Sequence, residues 1–394
     1  MQWICGLPRQ PDHAVGQLPR AHCAEAEGNM SRTVVFLGAG ATKACKGPLT
    51  DEILPAIFAR SATDASPGLR QLRTFLSEQF HVGDTSTKQH YPGLPLVMSL
   101  IDTGLDRRQA FSSTWDAESL SRLREEIEFG IYDLLEEQLE KSPTNNHFDL
   151  FNLLYPEGSS EEPCVISTNY DLIADTAMMF LSQYRGVPGQ AEEGRPPDYR
   201  CDIGTEFYRK EKRRFGTLLK LHGSLNWLYC RTCQRLEIGA SQARLYIKVL
   251  TRMFGPDLKK AFTPDGDPCP TCGCKLRPLL VAPSHLKYYR NPHLTQVWYE
   301  AERVLREATR VIVVGYSLPD DDVEVVYLLK RSLARPNPPL VTVIEFDEAN
   351  MQIPATDHVV GRRYRALFGD LVDWHACGLD EWLNRVRPNA GANG

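Results

Sequence analysis

The sequence has no apolar run approaching the roughly 20 residues needed to cross a bilayer. Its longest strand-like stretch, RVIVVGYSL at 310–318, is far too short. Residues 1–29 carry Pro, His, Gly and Cys without periodicity and lack the apolar core of a secretory signal. Neither sign of charge dominates: 45 Lys and Arg face 50 Asp and Glu, a formal net charge of −5. That balance excludes a protein that coats nucleic acid through a global basic field. Internal repeats and low-complexity tracts are absent as well. What is left is a globular chain of 394 residues, 42% hydrophobic and 24% charged, long enough for a large core. Cysteine, by contrast, is plentiful. Eleven cysteines, an odd count with two pairs at Cys-x-x-Cys spacing and no secretory signal, predict reduced thiols, a cytoplasmic setting and a metal site.

The first clear strand opens at Thr33, just after Met30, and residues 1–30 are expected to be a disordered or non-native extension. TVVFLGAGATKA (33–44) is a β-branched run feeding a Gly-rich turn, the pattern of a buried parallel strand. Further buried strands are predicted at 163–171, 217–224, 310–318 and 340–347. Helical periodicity separates most of them. It is clearest from Trp115 to Lys141, where Leu120, Leu123, Ile127, Ile131, Leu134, Leu135 and Leu139 share one face. A second helix is predicted over His293–Ala308, and a third after Pro319, with Asp320 to Asp322 as its capping start. Strands alternating with helices predict an α/β fold: a Rossmann-like, doubly wound parallel sheet. A mostly helical insertion is expected over 49–160, and a Gly/Pro-rich, then charged surface connection over 185–216.

Gly38 and Gly40 directly follow a strand, where glycines let backbone approach a pyrophosphate and expose N–H groups at a helix start. The third glycine of G-x-G-x-x-G is missing, its position taken by Lys43, so a tight turn without ligand is the alternative. Glu345 and Asp347 at the tip of another strand suit the hydroxyls of an adenosine ribose, or equally a solvated turn. STNYD (167–171) puts Ser167, Thr168, Asn169 and Asp171 at a strand's carboxyl end, where open α/β sheets bind ligands. Its structural reading is an Asx-type turn in which Asp171 caps the next helix. His222-Gly223 ends LLKLHG in the same way, so polarising groups and a base converge from two strand ends.

Cys230, Cys233, Cys269 and Cys272 are four thiolates in two matched pairs, predicting a tetrahedral structural zinc in a module over 229–277. Such a site is closed, which leaves His222 outside it, and Cys274 is a spare. Cys45 reads as a small buried hydrophobe, and His81, His90, His147, His285 and His293 receive no role.

GAGAT, STNYD, HG, two Cys-x-x-Cys pairs and GYSL, in this order, resemble the sirtuin family over about 31–350. The set looks most like the sirtuin-related NAD-hydrolysing domains of bacterial antiphage defence. The resemblance implies a sirtuin-like domain over 31–394, with NAD in the cleft between a Rossmann-like sheet and a smaller helical and zinc-ribbon region. It implies Gly38, Ala39 and Gly40 at the phosphates, with Thr42 and Thr168 beside them. Asn169 would orient a ribose hydroxyl or water, Asp171 would lie near the nicotinamide amide, and His222 would be the base. Gly315 and Ser317 would touch the adenosine half, and Glu345 its ribose. It also implies homo-oligomers and a HerA-type ATPase/helicase or Argonaute-like partner. Three departures stand out. KGPLTDEILP replaces the Asp-Phe-Arg segment of the deacylases, Thr168 replaces a glutamine, and LLVAPSHLKYY (279–289) replaces the Phe-Gly-Glu stretch of the acyl tunnel. Losses on the acyl side favour an NAD hydrolase over the first alternative, an NAD-dependent protein deacylase. The second alternative, a zinc-ribbon nucleic-acid-binding or scaffold protein with a degenerate nucleotide pocket, rests on YRKEKRRFG (208–216). Direct nucleic-acid contact is not expected, because a basic run is more often a solvated face.

Overall fold

A computed structural model describes residues 32–60, 67–83, 91–140, 146–185, 194–210, 213–241, 261–262, 268–284, 291–346 and 353–387. The expected extension at 1–30 lies outside them. Among the described residues six strands form one parallel sheet: β1 (Thr33–Leu37), β2 (Cys164–Ser167), β3 (Thr217–Lys220), β9 (Arg310–Val314), β10 (Leu340–Ile344) and β11 (Val372–His375). They lie in the order β3-β2-β1-β9-β10-β11. Counted within the sheet, that is third, second, first, fourth, fifth, sixth, the doubly wound order of dinucleotide-binding folds. The strands other than β11 carry apolar runs because both faces are covered; Val34, Val35, Phe36, Val311, Ile312 and Val343 are fully buried. The expected sheet is present, with one strand more than the sequence pattern marked. VDWH of β11 is short and half-buried, so it lacks the apolar signature of the others.

A second, antiparallel sheet has the order β5-β4-β8, from β4 (Gly223–Tyr229), β5 (Leu236–Ile238) and β8 (Arg277–Leu280). Two-residue strands β6 (Ala240–Ser241) and β7 (Ala261–Phe262) pair in parallel. Only two residues, Leu221 and His222, separate β3 from β4, so the chain passes directly from one sheet to the other.

Among the described residues five α-helices follow the Gly-rich turn and precede β2: α2 (Ile53–Arg60), α3 (Pro67–Phe80), α4 (Leu94–Arg107), α5 (Ala117–Glu140) and α6 (Asn146–Leu154). On α5 the predicted stripe is buried, with Leu120, Leu123, Ile127, Ile131 and Leu134 at 0–1% exposure. Each such side chain contributes roughly 1.5–3 kcal/mol. Their partners are informative. The stripe shares a core with Leu225, Leu228, Cys230, Cys269 and Leu276, so the helices α2–α5 and the cysteine module form one body. Trp227, one residue away on the opposite face of β4, belongs to the sheet's core instead. Leu150 and Phe151 of α6 also pack into that larger core.

The connection before β3 departs from expectation. Tyr199, Ile203, Tyr208 and Phe215 are buried rather than on the surface. Asp198 pairs in parallel with Thr217 and covers the edge of β3. Arg214 stacks over Tyr208 at 3.9 Å and bonds the Tyr208 carbonyl, so part of the basic run is structural.

Candidate active site

A doubly wound sheet opens a crevice where its strand order reverses, here between β1 and β9. Two loops interlock at that point. Gly38 N–H donates to the Val314 carbonyl at 3.0 Å and Gly40 N–H to the Gly315 carbonyl at 2.7 Å. A Cβ on Gly38 would lie 2.5 Å from the Gly315 carbonyl oxygen, and Gly315 has φ +60, with its own Cβ direction blocked by the Ala41 nitrogen. The glycines therefore serve a contact between two loops of the chain. The Gly38 and Gly40 amides are engaged by the neighbouring loop, and the glycines are needed for that loop–loop approach. Ala39 and Gly40 still line the cleft.

The loop after β2 forms the next wall. Asn169 lines the cleft, and its Nδ2 donates to the Gly38 carbonyl at 2.8 Å, which ties this loop to the first. Thr168 N–H and Oγ1–H both donate to the Leu37 carbonyl, at 3.0 and 3.3 Å. Asp171 is buried; Oδ1 accepts from the Ile173 amide at 2.9 Å and Oδ2 from the Thr42 hydroxyl at 2.5 Å. The Asx-type turn is thus present at a residue that also lines the cleft.

Beneath the loop lies a lysine whose part in the site the sequence reading missed. Lys220 is 1% exposed and donates to the Asp175 carboxylate at 3.2 Å, to the Tyr170 carbonyl at 3.3 Å and to the Asp171 carbonyl. Tyr199 donates to the other Asp175 oxygen, and Asn226 to the Tyr199 hydroxyl at 3.3 Å. Breaking such a pair from one side strands a buried charge. Lys220→Met is expected to destabilise by about 3–5 kcal/mol, and Lys220→Met with Asp175→Asn by much less. Urea-unfolding midpoints check this; equal loss in the single and double variants would show that the pair does not hold the loop.

His222, 5% exposed, sits between the two sheets at the cleft. Its carbonyl accepts from the Val281 amide at 2.8 Å, and its ring lies 6.4 Å from that of Tyr170. Its Nε2 is 3.6 Å from Asp322 Oδ1. Tyr316 donates to Asp322 Oδ2 at 3.0 Å. Neither Asp322 nor Tyr316 was assigned to the site from sequence; Asp322 had been absorbed into a helix cap. At the remaining side, Gly315, Ser317 and Glu345 line the cleft. Arg363 holds the Ser317 and Leu318 carbonyls at 3.0 and 3.2 Å, and Tyr364 the Tyr316 carbonyl at 2.7 Å. Asp347 lies outside the described residues.

The resulting cavity measures about 440 Å³. It brings together Ala39, Gly40, Thr42, Thr168, Asn169, Asp171, His222, Gly315, Ser317 and Glu345. Gly38 does not itself line it. Ile53, Leu94, Pro95 and Leu135 of the helical body roof it. Five carboxylates line it (Asp51, Asp171, Asp321, Asp322 and Glu345), and no Lys or Arg does so among the described residues. Such a wall favours positive charge at its centre.

Away from the cleft, the four predicted cysteines converge. Cys230 Sγ is 3.4 Å from Cys272 Sγ, Cys233 Sγ is 3.5 Å from Cys269 Sγ, and all four ligand atoms lie within 4.8 Å of one another. Zinc–sulfur bonds of about 2.3 Å give tetrahedron edges of about 3.8 Å, so this cluster suits a structural zinc. Cys274 is exposed and outside the cluster, though its carbonyl accepts from the Cys269 amide. Cys45 is buried, 3.8 Å from His147 Nδ1. Burial pushes its thiol up to about 11 and the imidazole down to about 4, so the contact is between neutral groups.

No protein-family model matches the chain, and no curated protein matches its sequence. Its fold is similar to solved structures of Sir2 enzymes. A structure described under the mechanism and regulation of Sir2 enzymes has TM-score 0.38 and 15% identity, covering 91% of this chain and 94% of that one. A Sir2 homologue–NAD complex gives 0.41 and 15%, covering 91% of each chain. A structure described under sirtuin substrate affinity gives 0.41 and 16%, covering 91% and 94%. At these scores the likeness adds nothing to the strand order, which defines the class: an open, doubly wound α/β protein with a cleft at its switch point.

Proposed function

We propose that this chain is a sirtuin-like NAD glycohydrolase. It cleaves the nicotinamide–ribose bond with water as acceptor, depletes NAD in antiphage defence, and is governed by self-assembly or by a HerA-type ATPase partner in the cytoplasm. The observation that carries the reading is the convergence of Asn169 and His222, from two different strand ends, on one acid-lined cleft at the switch point. The motif order of the sequence supports the same assignment.

In this reading Glu345, at the tip of β10, accepts the adenosine ribose hydroxyls. The interlocked glycine loops give the pyrophosphate a surface without side chains. As the C1′–N bond breaks, its electron pair goes to the nicotinamide nitrogen and C1′ gains oxocarbenium character. The carboxylate-lined wall stabilises that charge. Asn169 Oδ1 orients the water, which adds to C1′ while its proton passes to His222. The helical roof excludes other water.

The test is release of nicotinamide from NAD by purified protein, with and without an acetylated peptide, over a range of protein concentrations. Release without peptide, rising more than linearly with protein concentration, is expected. Release that needs the peptide would instead establish the deacylase. A protein that binds nucleic acid and leaves NAD intact under both conditions would establish the scaffold.

A further inference from the structure

Asp322 occupies the N-cap position of helix α10 (Val323–Leu333), yet its side chain makes no capping bond. That is unusual for an aspartate, whose short carboxylate ordinarily accepts from the first free amides of the helix and stabilises it by about 1 kcal/mol. Here the Asp322 backbone carbonyl serves the helix start, accepting from Val325 and Val326 at 3.0 and 3.1 Å. The carboxylate turns inward and is 5% exposed. One oxygen takes the Tyr316 hydroxyl at 3.0 Å, the other faces His222 Nε2 at 3.6 Å, and the residue borders the cleft. Tyr316 is itself fixed, since it is 3% exposed and the Tyr364 hydroxyl holds its carbonyl. A buried carboxylate turned from its local helix and oriented by a buried tyrosine is placed to act on the imidazole it faces.

We propose that Asp322 is the positioning residue of the acid–base site: oriented by Tyr316, its carboxylate stabilises the imidazolium that His222 becomes on accepting a proton. This rests on the glycohydrolase reading for its place in a reaction, but the pairing itself does not. The step balances simply. Water loses a proton to His222 as its oxygen bonds C1′, and the proton then returns to solvent. Asp322 stays ionised throughout, as the carboxylate of a His–Asp pair does in acyl transfer. The neighbouring groups with bonds of their own are these. Tyr170, from the loop after β2, contributes its ring and donates its hydroxyl to the Val281 carbonyl. From beyond β8 comes the Val281 amide, bonded to the His222 carbonyl. Asp171 is bonded to Thr42 and the Ile173 amide, and Lys220, the last residue of β3 two positions before His222, is bonded to Asp175.

The experiment compares wild type, Asp322→Asn and Tyr316→Phe in two ways. The first is an NMR titration of the His222 imidazole, its resonance among the ten histidines assigned by its loss in His222→Asn. The second is steady-state nicotinamide release from NAD. The expected result is a His222 midpoint at lower pH in Asp322→Asn, a smaller shift the same way in Tyr316→Phe, and kcat lower by about a hundredfold in Asp322→Asn with KM little changed. A midpoint that coincides in wild type and Asp322→Asn would overturn the proposal, even if kcat falls. So would unchanged kcat in an active enzyme. A shifted midpoint in a wild type that never cleaves NAD would support the pairing and refute the glycohydrolase reading, so the two failures are distinguishable. If Asp322→Asn fails to fold, Tyr316→Phe carries the same titration, and a coincident midpoint there overturns the orientation by Tyr316.

Discussion

His222→Ala and Asn169→Ala are each expected to lower nicotinamide release from NAD by about 10²–10⁴-fold, the range over which general-base catalysis acts. The two losses differ in kind. His222→Ala removes the proton acceptor and lowers kcat while KM stays near wild type, because the imidazole binds neither end of the dinucleotide in this account. Asn169→Ala removes the acceptor that aims the water and also cuts the 2.8 Å tie to the Gly38 carbonyl. A single hydrogen bond of this kind contributes about 0.5–1.5 kcal/mol, so Asn169→Ala also melts slightly earlier. Combining both substitutions costs little more than His222→Ala alone, since the two residues serve one step. Steady-state kinetics with thermal melting of all three variants checks this. Full activity in His222→Ala would remove the base from the mechanism.

Loss of the metal is expected to have the larger structural effect. Structural zinc contributes about 10–16 kcal/mol to the folding of small zinc modules, far more than any side chain discussed above. The cysteine body and the helices that roof the cleft share one core, with Cys230 and Cys269 packed beside Leu276, Leu228 and the α5 stripe. Unfolding the module therefore loosens the roof. Purified protein is expected to hold one zinc per chain in four-sulfur coordination by X-ray absorption. Cys230→Ser or Cys269→Ser lowers metal content, melting temperature and NAD turnover together, whereas Cys274→Ser changes none of them. Retention of fold and activity after complete chelation would show that the cluster is not structural.

The parts of this molecule that could be read in its sequence are those where one physical signal decided a residue's place. Apolar β-branched runs marked five sheet strands because a doubly wound sheet buries both faces. The 3.6-residue period marked the α5 stripe, and paired thiolates marked the cysteine cluster. Strand ends marked Asn169 and His222 because the fold opens its crevice there. β11 escaped since VDWH is short and half-buried. Asp322 escaped because an aspartate before a helix reads as a cap, and only in the folded chain is its side chain seen turned away from that duty. The partners of Lys220 were hidden for a related reason. A lysine inside LLKLHG is a visible anomaly, but Asp175 and Tyr199, which justify it, come from distant segments. Gly38 and Gly40 were legible from their place after a strand, but the loop of this chain that they admit was not, because Gly315 lies far away in sequence.

The central claim is that water, in this cleft, takes the place of nicotinamide on the ribose. Incubation of the protein with NAD in ¹⁸O-labelled water, without peptide, tests it most directly. The account predicts free nicotinamide and an equal amount of ADP-ribose carrying one ¹⁸O at C1′. NAD that stays intact until an acetylated peptide is added, with the ribose then found on the acyl group, would contradict it.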